Sequence, residues 1–353
     1  MRGAGTRSRL LKEVAYLAAL LWTVVAVHGQ SQPIERENPT TIKVTSNLVM
    51  VPTLVRTASA EIVSDLKAED FKLIDNGVEQ KISVEKVEKQ PVAVAVLMQT
   101  GGVAFRQFQN YSTMNMMLTL LPGSSTHRVG IVTFDSHPEE IWNFPPMADG
   151  LQYAFSHPAS GDRGAAILDA VNLGIEMLQQ QPASFRRIIV LLSQARDCGS
   201  KTPAIDVVRN LGQSNVTIYS VTYSPKKGLP GVELSAPCSL TSATQLSSDR
   251  VPVGMPQPPE SLGAILKAMG DDTAAEVASL SGGGLVRFDS KKDLERELSI
   301  LADYFSNSYT LSFRPASKEA GLHFIRVEVA KRRGPLNVAA RRIYWLAETA
   351  DGR

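Results

Sequence analysis

Cysteine is scarce in this chain: Cys198 and Cys238 are the only two in 353 residues. With the five histidines His28, His127, His137, His157 and His323, they show none of the close ligand spacings of a tetrahedral zinc site, so zinc is disfavoured. Catalytic signatures are missing as well. There is no Gly-x-Ser-x-Gly elbow and no His-Glu-x-x-His, and no Lys-Ser/Thr follows Gly101-Gly102 to complete a phosphate loop. Asp271-Asp272 with Glu276 reads as an acidic helix start favoured by the macrodipole, not as a catalytic pair. His127 and His137 flank a strand as surface or turn residues. The reading is therefore not an enzyme, with no cofactor. Long low-complexity tracts are also absent. Hydrophobic residues at 43% and charged residues at 20% indicate a folded protein outside the first forty residues and one Pro-rich stretch.

What is present begins with an export signal. Arg2, Arg7, Arg9 and Lys12 precede the apolar run Val14 to Val27, and small residues end at Gly29. That order marks residues 1–29 as a secretory signal peptide cleaved near Gly29-Gln30. The run has 14 residues, short of the ~20 a spanning helix needs; an uncleaved anchor is the alternative. No cysteine lies near the cleavage point for lipid attachment, and the polar tail Glu348 to Arg353 offers no second anchor, so the mature chain is expected to be soluble, periplasmic or extracellular. Without residues 1–29 it carries 33 basic against 34 acidic residues. A nucleic-acid role needs a basic footprint. The nearest candidate, Lys331-Arg332-Arg333 with Arg341-Arg342, reads instead as the solvated face of a hairpin.

At this length a central domain with at least one smaller unit is expected. Residues 30–40 read as a linker and 41–89 as a β-rich segment, with Asp75-Asn76-Gly77 as a hairpin turn between Phe71–Ile74 and Ile82–Val84. From residue 90 to 307 short apolar strands alternate with amphipathic helices. The strands are Val92–Met98, Arg128–Phe134, Ile188–Leu192, Val216–Val221 and, more weakly, Leu285–Phe288. Such runs suit strands buried on both faces of a parallel sheet. Leu168, Val171, Ile175 and Leu178 recur at helical spacing, as do Leu294, Leu298, Leu301 and Phe305. A helix from Leu262 to Leu280 ends at Gly282-Gly283-Gly284. Residues 224–260 are a Pro/Gly-rich excursion, and 308–347 return to strands. The expected fold is α/β, a doubly wound, mostly parallel sheet flanked by a smaller β-rich unit formed from the N- and C-terminal segments. The two flanks pair into one β-sandwich in this reading; separate docking is the alternative.

In a doubly wound sheet ligands bind beyond the carboxyl ends of the strands, where strand order reverses. The informative loops are then Gln99-Thr100-Gly101-Gly102-Val103, Gly161 to Ala166, and Ser193 to Asp197. With this strand and loop order, the segment Leu66 to Phe71, the Asp75-Asn76-Gly77 turn and the closing strands Tyr309 to Tyr344, the chain resembles the von Willebrand factor type A domain. It resembles more closely the bacterial VWFA-related proteins that have a signal peptide and β-rich flanks. The resemblance implies a metal-ion-dependent adhesion site made of Asp-x-Ser-x-Ser after the first strand, a Thr before the following helix and an Asp after the fourth strand. This sequence has Gln99, Gly101, Val103, Ala165 and Gln194 in those five places. Two neutral amides and no hydroxyl do not suit Mg²⁺, which takes hard oxygen ligands including carboxylate. Metal ligands are therefore expected to be none. Asp135, Asp162 and Asp197 read as turn or helix-cap carboxylates.

The expected role is an exported protein-binding or scaffold module that uses the strand carboxyl-end loops, with Phe105, Phe108, Tyr111 and Trp142 to Pro146 as aromatic candidates either for that surface or for the core. No nucleic acid and no integral anchor after signal cleavage are expected. The alternative is an envelope enzyme or enzyme accessory with a site in 224–260. Cys198 and Cys238 should emerge on one edge of the sheet, where an oxidising compartment allows a disulfide; two free thiols are the alternative. The sequons at Asn110 and Asn215 matter only in a glycosylating host.

Overall fold

The computed structural model describes residues 48–347 apart from 60, 87–89, 117–126, 146–148, 224–260 and 331–334. The signal, the linker, the 224–260 excursion and Lys331 to Arg333 lie outside the described residues. The strands are β1 (Val49–Thr57), β2 (Phe71–Asp75), β3 (Val78–Gln80), β4 (Ile82–Lys86), β5 (Val92–Gln99), β6 (His127–Phe134), β7 (Pro138–Trp142), β8 (Arg186–Ser193), β9 (Val216–Tyr223), β10 (Leu285–Phe288), β11 (Tyr309–Phe313), β12 (Gly321–Val329), β13 (Leu336–Ala340) and β14 (Ile343–Leu346). The helices are α1 (Phe108–Tyr111), α2 (Asp149–Ser156), α3 (Ile167–Gln179), α4 (Ala204–Gln213), α5 (Leu262–Asp271), α6 (Thr273–Ser281) and α7 (Lys291–Asn307).

Every residue of β5 is buried, because successive side chains point to opposite faces and both faces are covered. Val92, Val94, Val96 and Met98 join one apolar cluster with Tyr111, Phe155, Leu294, Leu298, Leu301 and Phe305. Ala93, Ala95 and Leu97 join the other, with Ile167, Val171, Ile175, Val207, Leu211 and Val277. The central sheet runs β10-β9-β8-β5-β6-β7. All its pairs are parallel except β7, which lies antiparallel to β6 at the edge. This is the doubly wound core expected from the alternation of apolar runs and helical faces.

The flanking segments combine into two four-stranded sheets, β13-β1-β11-β4 and β14-β12-β2-β3. Each takes strands from before and after the α/β core. Val51, Val55, Leu73, Leu311, Phe313, Ile325 and Tyr344 belong to one apolar cluster that both sheets share. The Asp75-Asn76-Gly77 turn has positive φ at Asn76 (45°) and Gly77 (87°), as tight hairpins require. It joins β2 to β3, however, while Ile82–Lys86 pairs with β11 in the other sheet, which corrects the hairpin partner. The polar residues of the sandwich interior are matched: His323 Nδ1 lies 3.1 Å from Asp75 Oδ1, and the Tyr344 hydroxyl donates to Asp75 Oδ2 at 2.8 Å.

Two further expectations are corrected. The helix foreseen over 262–280 breaks at Asp272, whose carboxylate accepts the Ala275 amide at 2.9 Å and starts α6; a side chain able to cap favours a new start over continuation. Gly282 then ends α6 in the left-handed conformation (φ 80°). Arg341 is not a solvated hairpin residue. It is 3% exposed and donates to the carbonyls of Ile343, Met50, Leu211 and Gly212 and to Asn215 Oδ1. Its guanidinium, pushed down to about 10 by burial, pins the sandwich to the end of α4. Arg342 bonds Glu276 on α6 at 3.2 Å.

Candidate functional site

Strand order reverses between β5 and β8, so the crevice lies between their carboxyl ends, where Gln99 and Gln194 face each other. Gln99 is fully buried. Its Oε1 accepts the Gln194 backbone amide at 2.8 Å, and its Nε2 donates to Gly101 O at 3.0 Å and to Gln194 Oε1 at 3.2 Å. Gln194 Nε2 donates onward to Arg196 O at 2.8 Å. From below, the Tyr111 hydroxyl donates to Gln99 O at 2.6 Å. Burial pushes the Tyr111 phenol far up, so it remains a neutral donor. The two amides thus satisfy each other and the loop backbone across the crevice, a task two facing carboxylates could not perform without a cation.

Three glycines draw the neighbouring loops together. A Cβ on Gly101 would stand 2.3 Å from Gly164 O and 2.6 Å from Asp135 Cβ. One on Gly161 would stand 2.7 Å from Asp135 Cβ, and one on Gly164 2.4 Å from Ser136 Cα. Side chains do not fit there. Gly102 N donates to Asp162 O at 2.8 Å, and its φ of +59° needs glycine. Val103 is half-buried against the core. Ala165 is buried and exchanges both backbone hydrogen bonds with Cys198. Cys198 is disulfide-bonded; Cys238, the chain's other cysteine, lies outside the described residues.

The three strand-end acids act on backbone. Asp162 accepts the Ser136 and Gly164 amides, at 3.1 and 2.7 Å. Hydrogen bonding by Ser136, with the Gly164 amide, holds its carboxyl below the usual range. Asp197 accepts the Leu168 amide at the start of α3 and is bonded by Ser200; burial pushes its pKa up nonetheless. Asp135 is buried and accepts the His137 and Asp162 amides, at 3.1 and 2.9 Å. Its Cβ is the surface against which Gly101 and Gly161 pack.

Of the aromatic candidates, Tyr111 is buried, and Phe108, Trp142 and Phe144 pack partly against the core. Phe105 is exposed, with Arg106 over its ring. Asn110 is buried and bonded to Gln107, so its sequon is not presented freely, whereas Asn215 is exposed, with its Oδ1 accepting from Arg341. Sequence reasoning missed one grouping: Asp135, His137 and Glu139 place a ligand atom each within 4.8 Å of one another. The Asp-x-His-x-Glu alternation entering β7 was its signal.

No protein-family model matches the chain. No curated protein matches it. Among solved structures, an aerotolerance-related membrane protein from Bacteroides fragilis is 14% identical with a TM-score of 0.38, over 60% of this chain and 98% of that one. The conserved hypothetical protein BatB from Bacteroides thetaiotaomicron is 16% identical with a TM-score of 0.37, over 60% and 99%. Proximal thread matrix protein 1 from the mussel byssus, with a zinc-occupied MIDAS motif, is 11% identical with a TM-score of 0.40, over 63% and 49%. Likenesses of this extent say nothing of ligand or partner. Among the described residues, no helix is long and apolar enough to cross a membrane.

Proposed function

We propose that the chain is an exported protein-binding or scaffold module of the von Willebrand factor A type whose strand carboxyl-end loops engage a protein partner without an ion at the family position. The observation that carries this reading is the amide pair Gln99–Gln194, which closes the crevice by hydrogen bonding where the family would use carboxylates and a cation. Gly101, Val103 and Ala165 supply no hydroxyl, and the packing of Gly101 against Gly164 and Asp135 leaves no space for one. The exposed rim of these loops offers Phe105, Arg163 and Arg196 beside Asp162, an aromatic ring among charges of both signs, a surface suited to a protein partner. The basic, apolar and small-residue order of residues 1–29 supports export, and N-terminal sequencing of the mature protein checks it.

The test is capture of a partner from an envelope extract on the immobilised mature chain, with and without added Mg²⁺ at constant zinc, beside a variant carrying Phe105→Asp and Arg163→Glu. Equal capture in both buffers, lost in the variant at unchanged Tm, is expected. Capture that requires Mg²⁺, or that the variant leaves unaffected, refutes the reading. A hydrolase activity that survives in the loop variant and disappears on removal of 224–260 would replace it by the enzyme reading.

A further inference from the structure

Asp135 and His137 lie in the bend that reverses the chain between antiparallel β6 and β7, and Glu139 follows in β7, so the reversal brings the three side chains together. One ligand atom of each lies within 4.8 Å of the others. Asp135 Oδ1 and His137 Nδ1 are 3.2 Å apart, close to the edge of a tetrahedron with metal–ligand bonds of ~2.0 Å. The arrangement is supported from behind. Asp135 is buried and its second oxygen accepts the Asp162 amide, so this carboxylate is oriented before any ion arrives, as outer-shell hydrogen bonds do at metal centres. His137 and Glu139 are exposed, which leaves an entry path and a position for water.

The charge balance points the same way. Asp135, Glu139 and Asp162 surround one imidazole, and among the described residues none of the three acids is paired with a lysine or arginine.

We propose that Asp135 Oδ1, His137 Nδ1 and a Glu139 carboxylate oxygen form a binding site for a zinc ion, with water as fourth ligand. The neutral imidazole then keeps its proton on the exposed Nε2. An imidazole with two carboxylates suits Zn²⁺, which accepts four mixed N and O ligands, better than Mg²⁺ or Ca²⁺, which take six or more oxygens. The sequence reading disfavoured zinc because it weighed spacings of cysteine and histidine only. The site uses none of the five residues at the family position, so it stands or falls independently of the function proposed above. Bound zinc would fix the turn between β6 and β7 beside the closed crevice.

The test is calorimetric titration of zinc chloride alone into the full mature chain, with His137→Gln, Glu139→Gln and the double variant. Both side chains are exposed, so the variants keep the fold, which thermal melting verifies. One equivalent of zinc is expected to bind, weakened by at least about tenfold in each single variant and lost in the double variant. The proposal is overturned if the chain gives no heat of zinc binding, or if the double variant binds one equivalent as tightly as the unaltered chain.

Discussion

Replacing Gln99 by Leu removes the amide and keeps the side chain's approximate volume, so the effect isolates hydrogen bonding from packing. Three bonds disappear: Gln194 N to Oε1 at 2.8 Å, and Nε2 to Gly101 O and Gln194 Oε1 at 3.0 and 3.2 Å. The Gln194 side chain is only half-buried and can turn its oxygen to water. The carbonyl of Gly101 keeps the Ala104 amide, at 3.1 Å, but the backbone amide of Gln194 loses its Gln99 acceptor and cannot move, and a buried polar group left unsatisfied costs about 1–3 kcal/mol. One such group gives about 2 kcal/mol. At this chain size that corresponds to a Tm roughly 4–8 °C lower. Urea denaturation of the single variants Gln99→Leu and Gln194→Leu and of the double variant gives the coupling between the two side chains, expected at about 1 kcal/mol. A Gln99→Leu variant within about 0.5 kcal/mol of the unaltered protein would refute the idea that the amide pair holds the loops together.

Further outcomes follow from the same geometry. Gly101→Ser should destabilise by about 2–3 kcal/mol, since its Cβ meets the Gly164 backbone and Asp135 rather than a mobile side-chain end; thermal melting checks this, and unchanged stability would show that the loops can part. Arg341→Met removes the guanidinium from the carbonyls of Ile343, Met50 and Gly212, and from Leu211 O, which keeps the Ser214 hydroxyl, and should cost about 3 kcal/mol, measured by urea denaturation. A disulfide between Cys198 and Cys238 closes a loop of ~40 residues, worth roughly 3–4 kcal/mol in the chain-entropy treatment; two thiols titrating in denatured, unreduced exported protein would refute the pairing. Adding Mg²⁺ to protein already freed of metal should leave the Tm unchanged, because only a ligand preferring the folded state shifts stability.

Much of the architecture is legible in the sequence. The unbroken apolar run of β5 admits a strand covered on both faces, and Leu294, Leu298, Leu301 and Phe305 admit one helical face; both patterns are local and periodic. The residues facing the crevice are legible too, since Gln99 and Gln194 stand at the carboxyl ends of apolar runs. What Gln99 and Gln194 do there is not, because 95 residues separate them and their pairing depends on strand order. Convergence of Gly101, Gly161 and Gly164 on Asp135 and Ser136 is likewise a matter of distance between loops. Arg341 carries the same lesson: a basic pair beside a hairpin reads as solvated, yet its acceptors are mostly backbone carbonyls, which have no residue identity to read. The sequence by itself determined which strands and helices build the α/β core, though not the break at Asp272. The tertiary structure alone decided which ends meet, because hydrogen bonds between loops and to backbone depend on position in space and leave no periodic trace along the chain.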